Sequence, residues 1–189
     1  HGLVVEGGEG GGFKNPRDVA TMVLVPLVAS KVNVPIVAAG GITDGRSMAA
    51  ALALGADGIN MGTRFIATQE APVHQHVKEA ILAASELDTR LVMRPLRNTE
   101  RVLKNAAVER LLEKERSLGA RLKFDDIIEE VAGVYPKIML DGAMDAGAWS
   151  CGMVAGLIHD IPTVKVLIDR MMAEAESIIS RRLAGMQTS

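Results

Sequence analysis

The sequence predicts an α/β fold in which parallel strands alternate with helices, and three observations carry that expectation. Short apolar runs, "GLVVEG" (residues 2–7), "PIVAAG" (35–40) and "GINMG" (58–62), alternate with helix-length stretches, the pattern of parallel strands joined by right-handed crossovers. The first two are apolar at consecutive positions, as in strands covered on both faces. Aromatic residues make up only 3% of the chain, and Ala, Val, Leu, Ile and 10 Met are left to fill the interior, which suits helices covering a sheet better than a sandwich or a disulfide scaffold.

The elements follow in order. The first strand starts almost at residue 1, and "GGEGGGFKNPRD" continues as a glycine-dense loop. A helix is predicted from about residue 24 to 32, with Pro26 in its first turn, where no intrahelical N–H is lost. After the strand at 35–40, a helix over 44–54 stops at Gly55, a left-handed terminator. The third strand ends at Gly62. Beyond Ala71 helical patterning dominates, with helices expected over 74–84, 98–118, 125–131, 148–158 and 162–183. In the last of these Val164, Leu167, Ile168, Met171, Ala175 and Ile178 recur at spacings of three and four, one apolar stripe. Residues 1–71 are therefore expected to form a strand-and-helix unit and 72–189 a mostly helical one.

Composition narrows the function classes. A chain of 189 residues with 48% hydrophobic and 23% charged content is ordinary for a globular domain, and a net charge of -2 gives no reason to expect nucleic acid or an anionic membrane as partner. Cys151 is the single cysteine, so an intrachain disulfide and a cysteine zinc site are excluded and a cytoplasmic location is the expectation. No apolar run reaches the length of a membrane span, and no targeting pattern is visible after His1.

Glycines at strand ends weaken a strand unless something approaches the backbone there. The cluster at 7–12 does not fit the dinucleotide fingerprint, since Phe13 or Asn15 stands where G-x-G-x-x-G needs glycine, and no P-loop occurs. Alone it reads as a surface loop. With Gly40 and Gly41 after the second strand and Gly62 and Thr63 after the third, however, three successive strands end in glycine on one face. In a barrel of eight β/α units, the loops after the last strands hold phosphate through backbone amides. Gly40 and Gly41, with Thr43 and Asp44, would form one half of such a cradle and Gly62 with Thr63 the other. The alternative for each pair is a tight strand-to-helix turn.

"VEGGEGGGF", "PIVAAGGITDGRSMAAALALGADGINMGTRFIAT", "MRPLRNTERVLKN" and "WSCGMVAGLI" resemble the last part of the nitronate monooxygenase family, formerly 2-nitropropane dioxygenases, whose relatives include an NADH:quinone reductase and the flavin-dependent enoyl-ACP reductase II. The resemblance implies FMN bound to a (β/α)8 TIM barrel, of which this chain carries the last three β/α units in residues 1–71, and a mostly helical substrate-covering domain in 72–189. On that resemblance Gly40, Gly41, Gly62 and Thr63 hold the FMN phosphate and Gly11 and Gly12 lie close to the flavin. Trp149, Ser150 and Cys151 face the substrate pocket, or else form a buried helix start with a packed Trp. The implied reaction is oxidation of nitronates with O2. NADH:quinone reduction or enoyl-ACP reduction stands as the alternative, with NADH or NADPH as a further substrate. The implied partner is a small molecule, and the oligomeric state stays open.

The chain departs from the family pattern in two places. Many members read E-x-G-G-H at the glycine loop; matching Glu9, Gly11 and Gly12 puts Phe13 at the histidine position. Phe can neither donate a hydrogen bond nor accept a proton, so the catalytic residue is unassigned and the balance tilts toward a reductase, with Phe13 as an apolar pocket wall. Glu6 and Glu9 are the nearby ionisable groups, and Glu9 is also suited to bonding loop amides. His74, His76 and His159 are expected to be solvated or capping. Arg94 and Arg97 either meet an anionic group or stand exposed beside a helix start. The second departure is length: a barrel takes roughly 250 residues, so the chain is expected to be the carboxyl-terminal part of a longer protein that does not hold flavin tightly by itself. The rival is a short module without flavin, not an enzyme.

Overall fold

The computed structural model describes residues 1–15 and 17–187. Pro16 of the glycine-dense loop and the last two positions of the 72–189 region lie outside the described residues.

Six strands occur among the described residues: β1 (Leu3–Glu6), β2 (Gly12–Phe13), β3 (Ile36–Ala39), β4 (Gly58–Asn60), β5 (Thr89–Val92) and β6 (Glu100–Leu103). The helices are α1 (Thr21–Ala29), α2 (Gly45–Ala53), α3 (Thr63–Ile66), α4 (Gln75–Ala83), α5 (Ala106–Leu118), α6 (Ile128–Val131), α7 (Tyr135–Met139) and α8 (Val164–Ser177). The predicted strands form one parallel sheet in the order β1-β3-β4. Val5, Ile36 and Ala38 of this sheet share a core with Val25 of α1 and Ala51 of α2, so the apolar runs are buried under crossover helices as their composition requires.

Helix α1 begins three residues earlier than its sequence suggests, because its cap comes from far away. The Glu9 carboxylate accepts from the Thr21 amide at 2.9 and 3.1 Å and from the Thr21 hydroxyl at 2.9 Å, while its own N-cap position, Ala20, offers no side-chain bond. Pro26 consequently lies inside the helix instead of in its first turn, at the cost of one donor. Helix α2 keeps its predicted bounds to within a residue, since its signals are local. Asp44 Oδ1 accepts from Ser47 N at 2.8 Å and Ser47 Oγ accepts from the Thr43 and Asp44 amides at 3.0 Å, a capping box, and Gly55 closes the helix at φ +100°.

A second sheet, antiparallel in the order β2-β6-β5, corrects the sequence reading of 72–189. The helix expected over 98–118 is β6 followed by α5, and Asn105 marks the break. Its Oδ1 accepts from Val108 N at 2.8 Å while its amide nitrogen donates to Met144 O and Gly147 O. Tertiary pairing overrides local propensity here. The helix expected over 148–158 is likewise absent. Residues 148–152 run extended, Leu103 N donates to Trp149 O at 3.1 Å, Ser150 bridges Val102, and a 3-10 turn spans Met153–Leu157. The segment 125–131 shortens to a 3-10 turn, Phe124–Asp126, followed by α6.

The long last helix divides into α8 and a π-helical turn, Ile178–Leu183. Its buried stripe is Leu167, Met171 and Ala175, whereas Ile168 is exposed. That stripe packs on the start of α2, where a β-carbon at Gly45 would stand 2.5 Å from Glu174 Cβ and 2.6 Å from Met171 O. The boundary expected near residue 71 is thus bridged twice, by β2 pairing with β6 and by α8 lying on α2. No helix of the described residues is long and apolar enough to cross a membrane.

Candidate functional site

A cavity of about 210 Å³ opens at the carboxyl ends of the parallel strands. Glu6, Ala39 and Asn60, the last residues of β1, β3 and β4, all line it, with Gly10, Gly11, Gly40, Gly41, Gly62 and Thr63 between them. Ser150, Gly152 and Val154 form the wall contributed by the second half of the chain.

The glycines serve different needs. Gly40 and Gly41 have φ of +80° and +79°, conformations that disfavour any side chain. A β-carbon at Gly40 would also meet Gly7 O at 2.9 Å. At Gly11 a β-carbon would lie 2.7 Å from Cys151 C, so the glycine loop and the 150–152 segment touch backbone to backbone. Gly62 is the exception: it has no positive φ, and a β-carbon there would find no heavy atom within 4 Å. The protein's own packing does not require glycine at 62; a group held in the cavity would. The residues present therefore fit a phosphate-bearing ligand between the 40–41 and 62–63 turns. Thr43 and Asp44 take no part in that cradle, because their amides are engaged by Ser47.

Around the wall at 150 the structure separates three residues that the sequence places together. Ser150 lines the cavity, while Trp149 and Cys151 are fully buried in the core around Val77, Ile81 and Ile138. An extended segment sends successive side chains to opposite faces, so only the middle residue can face the ligand. Burial, partly countered by a hydrogen bond with Thr63, pushes the Cys151 thiol up to about 12. Gly12 sits beside Ser150 at φ +85° without lining the cavity. Phe13, paired with Glu100 across β2 and β6, is 64% exposed and also lies outside the cavity wall.

Three residues near the site carry no signal in the sequence. Glu100 is 6% exposed, and its Oε1 accepts from Ser150 Oγ at 2.7 Å. The Tyr135 hydroxyl lies 2.6 Å from Ser150 Oγ and accepts from Ser150 N at 2.9 Å. Burial raises the Glu100 carboxyl above its ordinary value, against the hydrogen bonds with Ser150 and Tyr135. Lys14, its side chain 3% exposed, pairs with Glu6 at 2.5 Å. A lone acid in "ERVL" gives no hint, since its burial depends on the sheet.

The remaining candidates are structural or distant. His74 Nδ1 accepts from His76 N at 3.1 Å at the start of α4, and His76 Nδ1 lies 3.1 Å from Gly142 O. His159 lines a separate cavity with Arg64 and Asp160. Arg94 pairs with Asp18 of the glycine-dense loop, and Arg97 occupies φ +55°. No group of three or more side chains suited to a metal occurs among the described residues.

Parallel strands joined by crossover helices, with a cavity at their glycine-bearing carboxyl ends, define an α/β fold. The nitronate monooxygenase profile matches residues 2–174, and the chain belongs to that family, whose members are flavin-dependent in general. The chain is 36% identical over 92% of its length to the (3aS,4S,5R,7aS)-5-hydroxy-7a-methyl-1-oxo-octahydro-1H-indene-4-carboxyl-CoA dehydrogenase of Rhodococcus jostii, of which it spans 58%. A probable nitronate monooxygenase of Staphylococcus haemolyticus is 42% identical over 46% of the chain, 27% of that relative. Among solved structures, FabK of Thermotoga maritima, a TIM-barrel relative, superimposes with a TM-score of 0.90 at 37% identity, covering 98% of this chain and 57% of FabK. The chain thus spans under three-fifths of the length of these relatives.

Proposed function

We propose that the chain is the carboxyl-terminal part of an FMN-dependent oxidoreductase acting on an acyl thioester, with residues 1–71 the last three β/α units of a TIM barrel. The observation that carries this reading is the cavity walled jointly by the glycine-ended strands and the 150–154 segment. Relatives that match at least nine-tenths of the chain are named a carboxyl-CoA dehydrogenase and FabK, an enoyl-ACP reductase II; the nitronate monooxygenase profile spans that wall as well, while the individual nitronate monooxygenase from Staphylococcus matches under half of the chain. Gly40, Gly41, Gly62 and Thr63 would hold the phosphate of FMN, and Gly11 brings the glycine loop against residues 151–152. Bound there, FMN supplies acceptance and donation of hydride. The protein's own residues supply position: Thr63 ties the cradle to the opposite wall, and Ser150 presents a hydroxyl to the cavity.

Nitronate oxidation is the second reading, favoured by the family's name and by the 42% identity in the matched half. NADH:quinone reduction remains the third. The test uses the complete protein, loaded with FMN. Its flavin is reduced anaerobically with NADH or NADPH and then offered crotonyl-CoA or a quinone, while a nitronate with O2 is assayed separately. The thioester reading expects reoxidation by crotonyl-CoA at least about tenfold faster than by quinone. Faster turnover of the nitronate than of the thioester replaces it with the second reading.

A further inference from the structure

Glu100 has no cationic partner among the described residues. It faces Phe13 and Val92, its partners across β2 and β5, with Ser150 and Tyr135 above it. The cations adjoining it along the strands are engaged elsewhere: Arg101, next in the chain, donates to Gly8 O at 2.8 Å and Thr89 Oγ1 at 2.9 Å, and Lys14, next to its cross-strand partner Phe13, pairs with Glu6. A buried carboxylate without a counter-charge is costly, and its neutral form is correspondingly favoured.

The hydroxyl chain beside it can reverse direction. With Glu100 ionised, Tyr135 donates to Ser150, and Ser150 donates to Glu100. With Glu100 protonated, the carboxyl donates to Ser150 Oγ and the Ser150 hydrogen is free to turn into the cavity or toward Tyr135. The two ends of the chain differ in surroundings, since Glu100 is buried and Tyr135 is 42% exposed. Ser150, in the middle, lines the cavity.

We propose that Glu100, Ser150 and Tyr135 form a proton relay between solvent and the glycine-walled cavity, in which Ser150 touches the substrate and Glu100 stores the proton. The inference rests on the oxidoreductase reading, because adding hydride to an unsaturated thioester also requires one proton. In that direction FMN, held in the cavity and reduced by a nicotinamide nucleotide, would supply the hydride. Ser150 gives its hydroxyl proton to the substrate and takes one from Glu100, leaving a carboxylate. Water then protonates Tyr135 as Tyr135 passes its own proton to Ser150, and Ser150 restores Glu100. In the oxidative direction each transfer runs backward.

The test compares the complete FMN-loaded protein with Glu100→Gln, Tyr135→Phe and Ser150→Ala. Glu100→Gln is isosteric and still accepts from Ser150, which guards against a folding defect. The first readout is independent of turnover: infrared titration of carboxyl groups in protein labelled with carbon-13 glutamate. A band titrating above the ordinary glutamate range, absent in Glu100→Gln and displaced in Ser150→Ala, is expected. The second is the pH profile of thioester reduction. Glu100→Gln should lose that ionisation and about tenfold or more in kcat, and Tyr135→Phe should lower kcat with KM unchanged and reduce the solvent deuterium effect. Titration of the glutamate in the ordinary range, or an unaltered pH profile with less than about twofold change in kcat for Glu100→Gln, overturns the relay. Failure of the function reading shows differently, as a wild type that turns over no thioester, while the infrared titration still decides for or against the proton store.

Discussion

Thr63 Oγ1 accepts a hydrogen bond from the Gly152 amide at 2.9 Å. The residue that opens α3, directly after the Gly62 gap, is thereby fastened to the wall that carries Ser150. The amide of Met153, next in the chain, donates to Glu9 O at 2.9 Å, so the 150–154 segment is held by two of the three glycine-bearing turns. The cavity keeps its shape because its opposite walls share hydrogen bonds.

Thr63→Val should destabilise the complete protein by about 1–3 kcal/mol, the cost of leaving the buried Gly152 amide without an acceptor. Thr63→Ser, which retains the oxygen, should lie within about 1 kcal/mol of wild type. Denaturant midpoints for the three proteins decide; a loss in Val no larger than that in Ser, which lacks only the methyl, would contradict a stabilising role for the bond.

Gly62 and Gly40 should respond oppositely to alanine. Gly62→Ala has room and no unfavourable backbone angle, so stability should stay within about 0.5 kcal/mol, yet flavin retention should fall because the methyl occupies the cradle. Gly40→Ala meets both a positive φ and the Gly7 carbonyl, and should cost about 1–3 kcal/mol. Flavin absorbance per mole alongside thermal melts separates the two effects. Full flavin content in Gly62→Ala removes the phosphate assignment there.

Native Cys151 should resist alkylation. With its thiol pushed to about 12, only about one molecule in ten thousand is thiolate at pH 8, and the side chain is fully buried. Iodoacetamide labelling followed by mass spectrometry should show modification only after unfolding. Rapid labelling of the native protein would mean that the 150–152 segment opens readily.

Two carboxyls should tilt stability with pH in opposite directions. Burial raises Glu100 in the folded state, so its favourable contribution is complete below the unfolded value of about 4.3 and is lost as pH rises through the folded value. Glu100→Gln should flatten that decline. For Asp44, burial acts upward, but the Ser47 amide and hydroxyl and the Arg46 guanidinium together lower it. Its contribution is present above the unfolded value of about 3.9 and is lost as pH falls through the folded one. Asp44→Ala should cost about 1 kcal/mol at neutral pH and less in acid. Urea midpoints across pH 2–8 read both slopes; a Glu100→Gln curve parallel to wild type contradicts the first sign.

What the sequence by itself determined is the part whose causes are local. The apolar runs at 2–7 and 35–40, the Asp44 and Ser47 box and the Gly55 stop all act over a few residues, and strand-ending glycines announce their need for close approach. Tertiary structure alone decided what depends on distant partners. Glu9 starts α1 from twelve residues away, and β6 is a strand because β5 pairs along its whole length and Gly12 and Phe13 pair with its other edge across almost ninety positions instead of letting the 98–118 pattern run on as helix. The extended backbone at 149–151 then buries Trp149 and Cys151 and leaves Ser150 facing the cavity. Glu100 acquires its character last of all. A carboxylate in "ERVL" reads as a solvated charge until the sheet removes its water and Ser150, itself bonded to Tyr135, becomes its hydrogen-bond partner.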